Sequence, residues 1–275
     1  VDTVLYSSNI TGFQHPCSTA TQDEFFRVVQ MLYILTITLD NFDELLATIH
    51  ALNQLECNHE IVHIIKNGRV ADRSSDFVRE CSGNIQNRRI VLVEQPDRGI
   101  YHAMNQALDH VPEGEWFAFI NSGDLLQGTL SINDGHTCFL VPAHRSIGHK
   151  PNHYLPIRVK SNYSSGMPFC HQSLFLKKTC TMQFSLKYSI SADYLFVLRY
   201  VLPLYPHGPL SIPLLSRVHV FYDSNGISST RRLTRDFQAL LIVARMMPAW
   251  SLFYFLFSRL LALPQYLIAL SNSLV

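Results

Sequence analysis

The stretch "EQPDRGIYHAMNQALDHVPEGEWFAFINSGD", residues 94–124, joins a polar turn to an amphipathic segment and then to a short apolar run. The segment "IYHAMNQALDHV" predicts a helix, because apolar residues recur on one helical side. These residues are Ile100, Met104, Ala107 and Leu108. The run "EWFAFI" (115–120) predicts a buried strand that stops abruptly at Asn-Ser-Gly-Asp. A helix followed by a buried strand is one repeat of a parallel α/β sheet, so upstream repeats are expected.

Three upstream runs have the length and composition of buried strands: "MLYILTITL" (31–39), "EIVHII" (60–65) and "RIVLVE" (89–94). After the first comes a predicted helix with Asn41 as N-cap and an apolar side made of Leu45, Ile49 and Leu52. After the second, "RSSDFVREC" (73–81) predicts another helix. This alternation predicts an α/β fold with a mostly parallel sheet, flanked by helices and joined by right-handed crossovers.

Composition narrows the class of protein. The 275 residues carry a formal net charge of +1 and are 16% charged, which gives no basic surface for nucleic acid. Six cysteines without C-x-x-C spacing predict reduced thiols. Residues 1–30 are polar, and Arg27 is their first basic residue, so we expect an N-terminal extension and no signal peptide. A cytoplasmic protein is therefore expected.

Polar clusters follow three of the predicted strands, at residues 40–41, 94–99 and 121–124. In open α/β sheets, ligands bind beyond the carboxyl ends of the strands. A carboxylate at the end of a buried strand, where Asp124 is predicted, is well placed to bind a cation. From spacing alone, Asp124 could equally be a helix N-cap or an ordinary turn residue.

The pattern E-x-x-D-x-G-I-Y-x-A-M-N, then a strand and N-S-G-D, resembles the family-2 inverting glycosyltransferases of bacterial exopolysaccharide and O-antigen assembly. Three downstream segments also resemble that family: "FCHQSLFLKK" (169–178), "SISADYLFVLR" (189–199) and "SNGISST" (224–230). The resemblance spans roughly residues 31–232. It implies a GT-A type, Rossmann-like domain over residues 31–235, a nucleotide-sugar donor and transfer with inversion to a hydroxyl.

The resemblance also implies roles for individual residues. Asp124 would hold a divalent cation, Mg²⁺ or Mn²⁺. Asp193 would be the general base, although an N-cap for the helix "YLFVLRYV" is the alternative. His171 and Gln172 would line the acceptor side or orient the base, or His171 would simply pack in the core. The donor side would comprise Asn41, Glu94, Asp97, Gly99, Asn105, Asn121 and Ser122.

Two positions depart from the family pattern. Lys66 stands where an Asp that helps to hold the nucleoside is expected, and a lysine cannot accept hydrogen bonds from ribose or base. His102 stands where the family has Asp. These departures leave open a catalytically degenerate scaffold. A nucleotidyltransferase is a second alternative, but it would need a glycine-rich phosphate loop that "LDNFDE" does not provide. The histidines of "HRSIGHKPNH" (144–153) are expected in a solvated loop rather than a zinc site.

The C-terminal region, residues 236–275, is expected to form an apolar helical tail. Arg259 and Pro264 interrupt its apolar run, and a charge at mid-bilayer costs about 2.5–3.5 kcal/mol. A helix pair lying in the membrane surface is therefore favoured over a span. The upstream arginines would contact anionic headgroups, placing the protein on the inner face of the cell membrane beside a lipid-linked acceptor. A helix packed on the catalytic domain is the alternative.

Overall fold

A computed structural model describes residues 5–6, 31–69, 88–133, 135–146, 154–223 and 231–272, with side chains only to residue 260 within the last range. The chain forms two compact units: residues 1–137 with 175–180, and residues 138–174 with 181–275. The helix predicted at 73–81 and the segment 224–230 lie outside the described residues.

In chain order the elements are β1 (Leu5–Tyr6), β2 (Met31–Thr38), α1 (Phe42–Gln54), β3 (Glu56–Cys57), β4 (Glu60–Asn67), β5 (Arg88–Glu94), α2 (Ile100–Leu108), β6 (Trp116–Phe119), β7 (Leu125–Leu130), β8 (Cys138–Leu140), β9 (Ala143–Ser146), β10 (Tyr154–Ile157), β11 (Leu174–Lys177), α3 (Ala192–Tyr200), β12 (Val218–Tyr222), α4 (Arg232–Met246) and α5 (Ala249–Asn272). All four predicted strands are present, with ends shifted by at most two residues.

The sheet of the first unit is built around β2. This strand pairs in parallel with both β4 and β6, and β4 continues in parallel to β5, which pairs with β1. Strand β11 then pairs antiparallel with β6. The prediction of a mostly parallel sheet therefore describes its centre only. The sheet is mixed, because a strand from much later in the sequence is added in the opposite direction.

The core of the first unit contains the residues that apolar periodicity predicted. Strands β2 and β4 are buried along nearly their whole length, as expected for strands covered on both faces. In α1, Leu45, Ile49 and Leu52 are buried, and the Asn41 side chain accepts a hydrogen bond from Glu44 N, which confirms the predicted N-cap. Of the four residues predicted on one side of α2, Met104, Ala107 and Leu108 are buried. Ile100, the first residue of the helix, is 37% exposed.

A buried polar network joins three central strands. The Thr36 hydroxyl donates to Ile120 O at 2.7 Å and lies 2.8 Å from His63 Nε2. Because the only hydroxyl hydrogen goes to the carbonyl, Nε2 must be the donor in the second bond. Burial, with a smaller contribution from Arg88, lowers the pKa of His63 to about 3. His63 is therefore a neutral core residue at physiological pH.

In the second unit, β9 pairs antiparallel with β10 and in parallel with β12. His144 lies in β9, with its Nε2 2.9 Å from Nδ1 of His219, so the prediction of a loop there was wrong for residues 144–146. The neighbouring histidines at 149 and 153 lie outside the described residues. The cysteines that the structure describes are free thiols, as predicted: Cys57, Cys138, Cys170 and Cys180.

The C-terminal region is helical. It consists of α4 and α5, which are separated by a short break at Met247 and Pro248. Among the residues that the structure describes, no helix combines the length and the apolar composition needed to cross a bilayer.

Candidate active site

Polar residues gather where the four central strands of the first unit end. Because β2, β4, β5 and β6 are parallel, their carboxyl ends lie along one edge of the sheet. That edge carries the predicted clusters and two further residues from β4. Its polar side chains are Asp40, Asn41, Lys66, Asn67, Glu94, Asp97, Asn121, Ser122 and Asp124.

Asp124 closes a tight turn at the end of β6. Its Oδ2 accepts from Asn121 N at 3.2 Å, and its own backbone N donates to Asn121 O at 3.0 Å. Gly123 has a φ of +90°, a conformation that favours glycine. The carboxyl-bearing residue is only 6% exposed, and strand β7 follows it directly. Asp124 is thus a turn residue held in one conformation, and no helix begins there.

Thr48 of α1 stabilises this turn, a role that the sequence analysis did not predict. Its hydroxyl donates to Asp124 O at 2.9 Å and accepts from Gly123 N at 2.9 Å. Thr48 is fully buried. The available signal was its position between Leu45 and Leu52 on the apolar side of α1, where a hydroxyl needs a partner.

The start of α1 also contacts the turn. The Asn41 side chain caps the helix, while Asn41 O accepts from the Ser122 hydroxyl at 3.4 Å. Ser122 N donates to Ile37 O at 3.3 Å. The structure therefore brings together four residues that the resemblance placed on the donor and metal side, namely Asn41, Asn121, Ser122 and Asp124.

Asp97 follows β5 and is held by two donors. Its Oδ1 accepts from Gly99 N at 3.0 Å, and its Oδ2 lies 3.2 Å from Lys66 Nζ. Lys66 also donates to Gln95 O at 2.6 Å and to Asn67 O at 2.9 Å. Burial lowers the pKa of Lys66, and Asp97 partly offsets this effect. The residue that replaces the family's Asp therefore points into the protein, where three acceptors satisfy its ammonium group.

Asp40, which follows β2, has strained backbone geometry. It has a φ of +55°, uncommon for a residue other than glycine and frequent at functional sites. Its Oδ1 accepts from Asn67 Nδ2 at 2.9 Å, and its Oδ2 lies 3.5 Å from Arg69 Nη1. These bonds join the loops that follow β2 and β4.

Two other residues that the resemblance predicts for the donor side, Glu94 and Asn105, lie before and after Asp97 in the sequence. Glu94 is the last residue of β5, and Asn105 lies in α2; both are partly exposed. His102, the second departure from the family pattern, accepts from Arg98 N at 3.1 Å through its Nδ1. This bond links His102 to the loop before α2.

Asp193, the predicted base, lies in the second unit. Helix α3 begins at Ala192, so Asp193 is its second residue and the N-cap alternative is wrong: Ser191 occupies that position. Asp193 Oδ1 accepts from Tyr194 N at 2.8 Å, and its Oδ2 lies 3.8 Å from His171 Nδ1. Burial lowers the pKa of His171, and the Asp193 carboxylate acts in the opposite direction. These two predicted residues are therefore neighbours.

Gln172 is more enclosed than His171. It is 7% exposed, and its Oε1 accepts from the Cys170 thiol at 2.7 Å. Residues His171–Ser173 form a single 3₁₀ turn, and Ser173 Oγ donates to Cys170 O at 2.6 Å. This turn fixes the backbone that carries His171.

The residues fit a divalent cation that takes most of its ligands from a substrate. Among the described residues, no group of three or more His, Cys, Asp or Glu side chains could hold a metal ion. Mg²⁺ and Mn²⁺ at phosphate sites typically use one or two protein carboxylates, together with phosphate oxygens and water. The Asp124 carboxylate is a hard oxygen group of the kind that such a cation would need.

Solved structures with a similar fold include S. aureus TarS and the mannosyltransferase PcManGT. S. aureus TarS in complex with UDP has a TM-score of 0.54 at 15% identity over 82% of this chain and 71% of that chain. TarS with UDP-GlcNAc gives 0.54 at 13% over the same shares. The mannosyltransferase PcManGT from Pyrobaculum calidifontis, in complex with GDP-Man and Mn²⁺, gives 0.52 at 14% over 88% of this chain and 79% of that one. Neither a protein-family model nor a curated protein matches the sequence.

Proposed function

We propose that this protein is an inverting glycosyltransferase of the family-2 type, which transfers a hexose from a nucleotide-sugar donor to a glycan. The observation that carries the proposal is Asp124, a carboxylate held in a tight turn at the carboxyl ends of the parallel strands. The fold supports it, because TarS and PcManGT were solved with UDP, UDP-GlcNAc or GDP-Man. Bacterial polysaccharide assembly, of exopolysaccharide or O-antigen, is the expected setting.

The donor would bind at the sheet edge of the first unit. Asp124 would hold a divalent cation, Mg²⁺ or Mn²⁺, which supplies positive charge for the leaving nucleoside diphosphate. The fixed backbone of the turn would present Asn121 and Ser122 to the donor. The other donor-side residues are Asn41, Glu94, Asp97, Gly99 and Asn105.

The acceptor would react on the opposite side of the sugar. Its hydroxyl oxygen forms a bond to the anomeric carbon as the bond from that carbon to the phosphate oxygen breaks, which inverts the configuration. Asp193 takes the hydroxyl proton as general base. His171, 3.8 Å from Asp193 Oδ2, orients the carboxylate, and Gln172 supports the turn that carries His171.

Separate measurements of donor binding and of sugar transfer test these roles. In thermal-shift assays, UDP-GlcNAc or GDP-mannose with Mn²⁺ should raise the melting temperature of the wild type, and Asp124→Asn should lose the Mn²⁺-dependent part of this increase. Asp193→Asn should keep the shift but lower transfer about 10²- to 10⁴-fold. Asp109→Asn, an exposed charge change on the turn after α2, is the matched control and should alter neither.

A catalytically inactive scaffold of the same fold is the second candidate, and Lys66 is the observation that favours it. Its ammonium group occupies the position of a nucleoside-binding carboxylate and is used internally. Equal background transfer in wild type, Asp124→Asn and Asp193→Asn would favour the scaffold. If the donor binds in an Asp124-dependent way but no sugar is transferred to any glycan, the protein would be a nucleotide-sugar-binding protein without transferase activity.

A further inference from the structure

The second unit contains a cavity whose lining residues have no role in the function proposed above. It lies between the loop that precedes α3, helix α3 itself and the last two turns of helix α4. Its volume is about 110 Å³. A single water molecule needs roughly 10–15 Å³ on the same scale, so the cavity can hold a considerably larger group. We name it the α3–α4 cavity.

The buried part of the cavity lining is largely apolar. Leu195 of α3 and Ile242 of α4 line it and are 4% and 0% exposed. Tyr188, from the loop before α3, also lines it and is 5% exposed. A ligand in the cavity would therefore contact two aliphatic side chains and one aromatic residue that carries a hydroxyl group.

Three cations also line the cavity: Lys187 in the loop, Arg199 in the last turn of α3 and Arg245 in the last turn of α4. All three are exposed. Within the part of the chain that the structure describes, none of them forms an ion pair with a carboxylate. The two helix C-termini supply only about half a negative charge each. The three cations therefore keep a positive charge that a multivalent anion would offset.

Two hydroxyl groups of the lining can donate hydrogen bonds to a ligand. Arg245 Nη1 donates to the Tyr188 hydroxyl oxygen at 3.4 Å, and Lys187 N donates to the Ser185 hydroxyl oxygen at 3.3 Å. Both oxygens are acceptors in these bonds, and neither hydroxyl donates to another residue that the structure describes. Their hydrogens are therefore available to an acceptor in the cavity.

This combination of groups suits a phosphate ester. Guanidinium groups bind phosphate oxygens through paired N–H donors, and the three terminal oxygens of a phosphate ester accept several hydrogen bonds at once. A carboxylate has fewer oxygens and would use fewer of these donors. The aliphatic side chains of Leu195 and Ile242 suit the organic part of the ester, because covering them removes apolar surface from water.

We propose that the α3–α4 cavity binds the phosphate group of a small water-soluble phosphate ester, whose organic part covers Leu195 and Ile242. The three cations neutralise the phosphate, and the two hydroxyl groups donate to its oxygens. This binding needs neither a sugar donor nor transferase activity. Its failure and the failure of the proposed function are therefore distinguishable.

Isothermal titration calorimetry of the full chain tests the proposal with three probes: inorganic phosphate, phenyl phosphate and phenol. Inorganic phosphate should bind, and phenyl phosphate should bind about tenfold more tightly, because its ring covers apolar surface. Phenol has the ring but no phosphate, so it should not bind measurably.

A variant of one cation tests the location of the site. Arg199→Gln should weaken the binding of phenyl phosphate about tenfold, the effect of losing one hydrogen bond to a charged group. Arg217→Gln makes the same charge change at another exposed position of the second unit. It is the matched control and should leave the affinity unchanged. Thermal unfolding without ligand confirms that both variants are folded.

The buried hydroxyl group is tested separately. Tyr188→Phe keeps the ring but removes the donor, so it should also weaken the binding of phenyl phosphate about tenfold. Tyr154→Phe removes a hydroxyl group from β10 and should not change the affinity.

Several results would overturn the proposal. A folded wild type that binds no phosphate would exclude the site, and equal losses in Arg199→Gln and Arg217→Gln would mean general electrostatic attraction. Equal affinities for inorganic phosphate and phenyl phosphate would contradict the contact with the apolar lining. If phenyl phosphate binding is lost in Asp124→Asn but kept in Arg199→Gln, the phosphate binds at the predicted donor site instead.

Discussion

Lys66 Nζ lies 3.2 Å from Asp97 Oδ2, at the edge of the sheet where the family resemblance leads one to expect two carboxylates. The Lys66 side chain is fully buried, and two main-chain carbonyls accept its remaining hydrogens. A lysine at this position therefore stabilises the loop after β5, whereas the Asp of the family pattern would bind the nucleoside. The Asp97 side chain, which is 15% exposed, is held by this cation and by Gly99 N.

The first prediction concerns this ion pair. Lys66→Met removes the cation but leaves the Asp97 carboxylate and the carbonyls of Asn67 and Gln95 behind, so we expect a loss of about 3–5 kcal/mol in the free energy of unfolding. Asp97→Asn alone should also lower the free energy of unfolding, because it leaves the fully buried Lys66 ammonium without its counter-charge. Urea denaturation of the two single variants and the double variant measures the coupling. Strictly additive losses would show that the pair contributes nothing as a unit.

The second prediction concerns Thr48. Thr48→Val keeps the shape but removes the hydroxyl that bonds to Asp124 O and Gly123 N, so the free energy of unfolding should fall by about 1–3 kcal/mol. Donor binding with Mn²⁺ should weaken too, because the turn that presents Asp124 loses its support. Thr129→Val, whose hydroxyl donates to Glu56 at an exposed position, is the matched control and should change neither quantity. If Thr48→Val keeps its Mn²⁺-dependent donor binding, the geometry of this turn does not determine cation binding.

Local patterns predicted most of the first unit, because its strands are consecutive in sequence. Apolar runs gave β2, β4, β5 and β6, and helical spacing gave α1 and its cap at Asn41. Strand β11 could not be placed this way, since it joins the sheet next to β6 from almost 60 residues further on. Long-range pairing of that kind leaves no periodic signal in either segment.

Side-chain partners were less predictable than backbone elements. Lys66 was identified as a departure from the family, but its three acceptors come from β4 and from the loop after β5, and their meeting depends on register. In the same way, the sequence shows Arg259 only as a charge within an apolar segment, whereas the structure shows that it contacts Asp236 and Ser165. The sequence indicates that burying such a charged side chain costs free energy, but only the fold shows which partners offset that cost.

The third prediction is a pH dependence from His63, whose folded pKa is about 3 against about 6.5 in an unfolded chain. Between these values the unfolded state binds a proton that the folded state excludes. The free energy of unfolding should therefore fall on acidification, by about 1.4 kcal/mol per pH unit below 6.5, and this loss should be absent above it. His63→Gln keeps a donor for Thr36 and does not titrate, so urea denaturation from pH 7 to 5 should show a shallower slope. Identical slopes in both proteins would contradict this origin.

The fourth prediction tests the contact between His171 and Asp193. Burial lowers the pKa of His171 and the Asp193 carboxylate raises it, so removing that charge should lower the pKa further. Histidine NMR titration of Asp193→Asn should show His171 protonating at a lower pH than in the wild type. Asp223→Asn, whose carboxylate accepts from Ser146, is the charge control and should leave His171 unchanged. A purely structural role for Asp193 at the start of α3 would lower the melting temperature without moving the titration, whereas a direct electrostatic contact must move it.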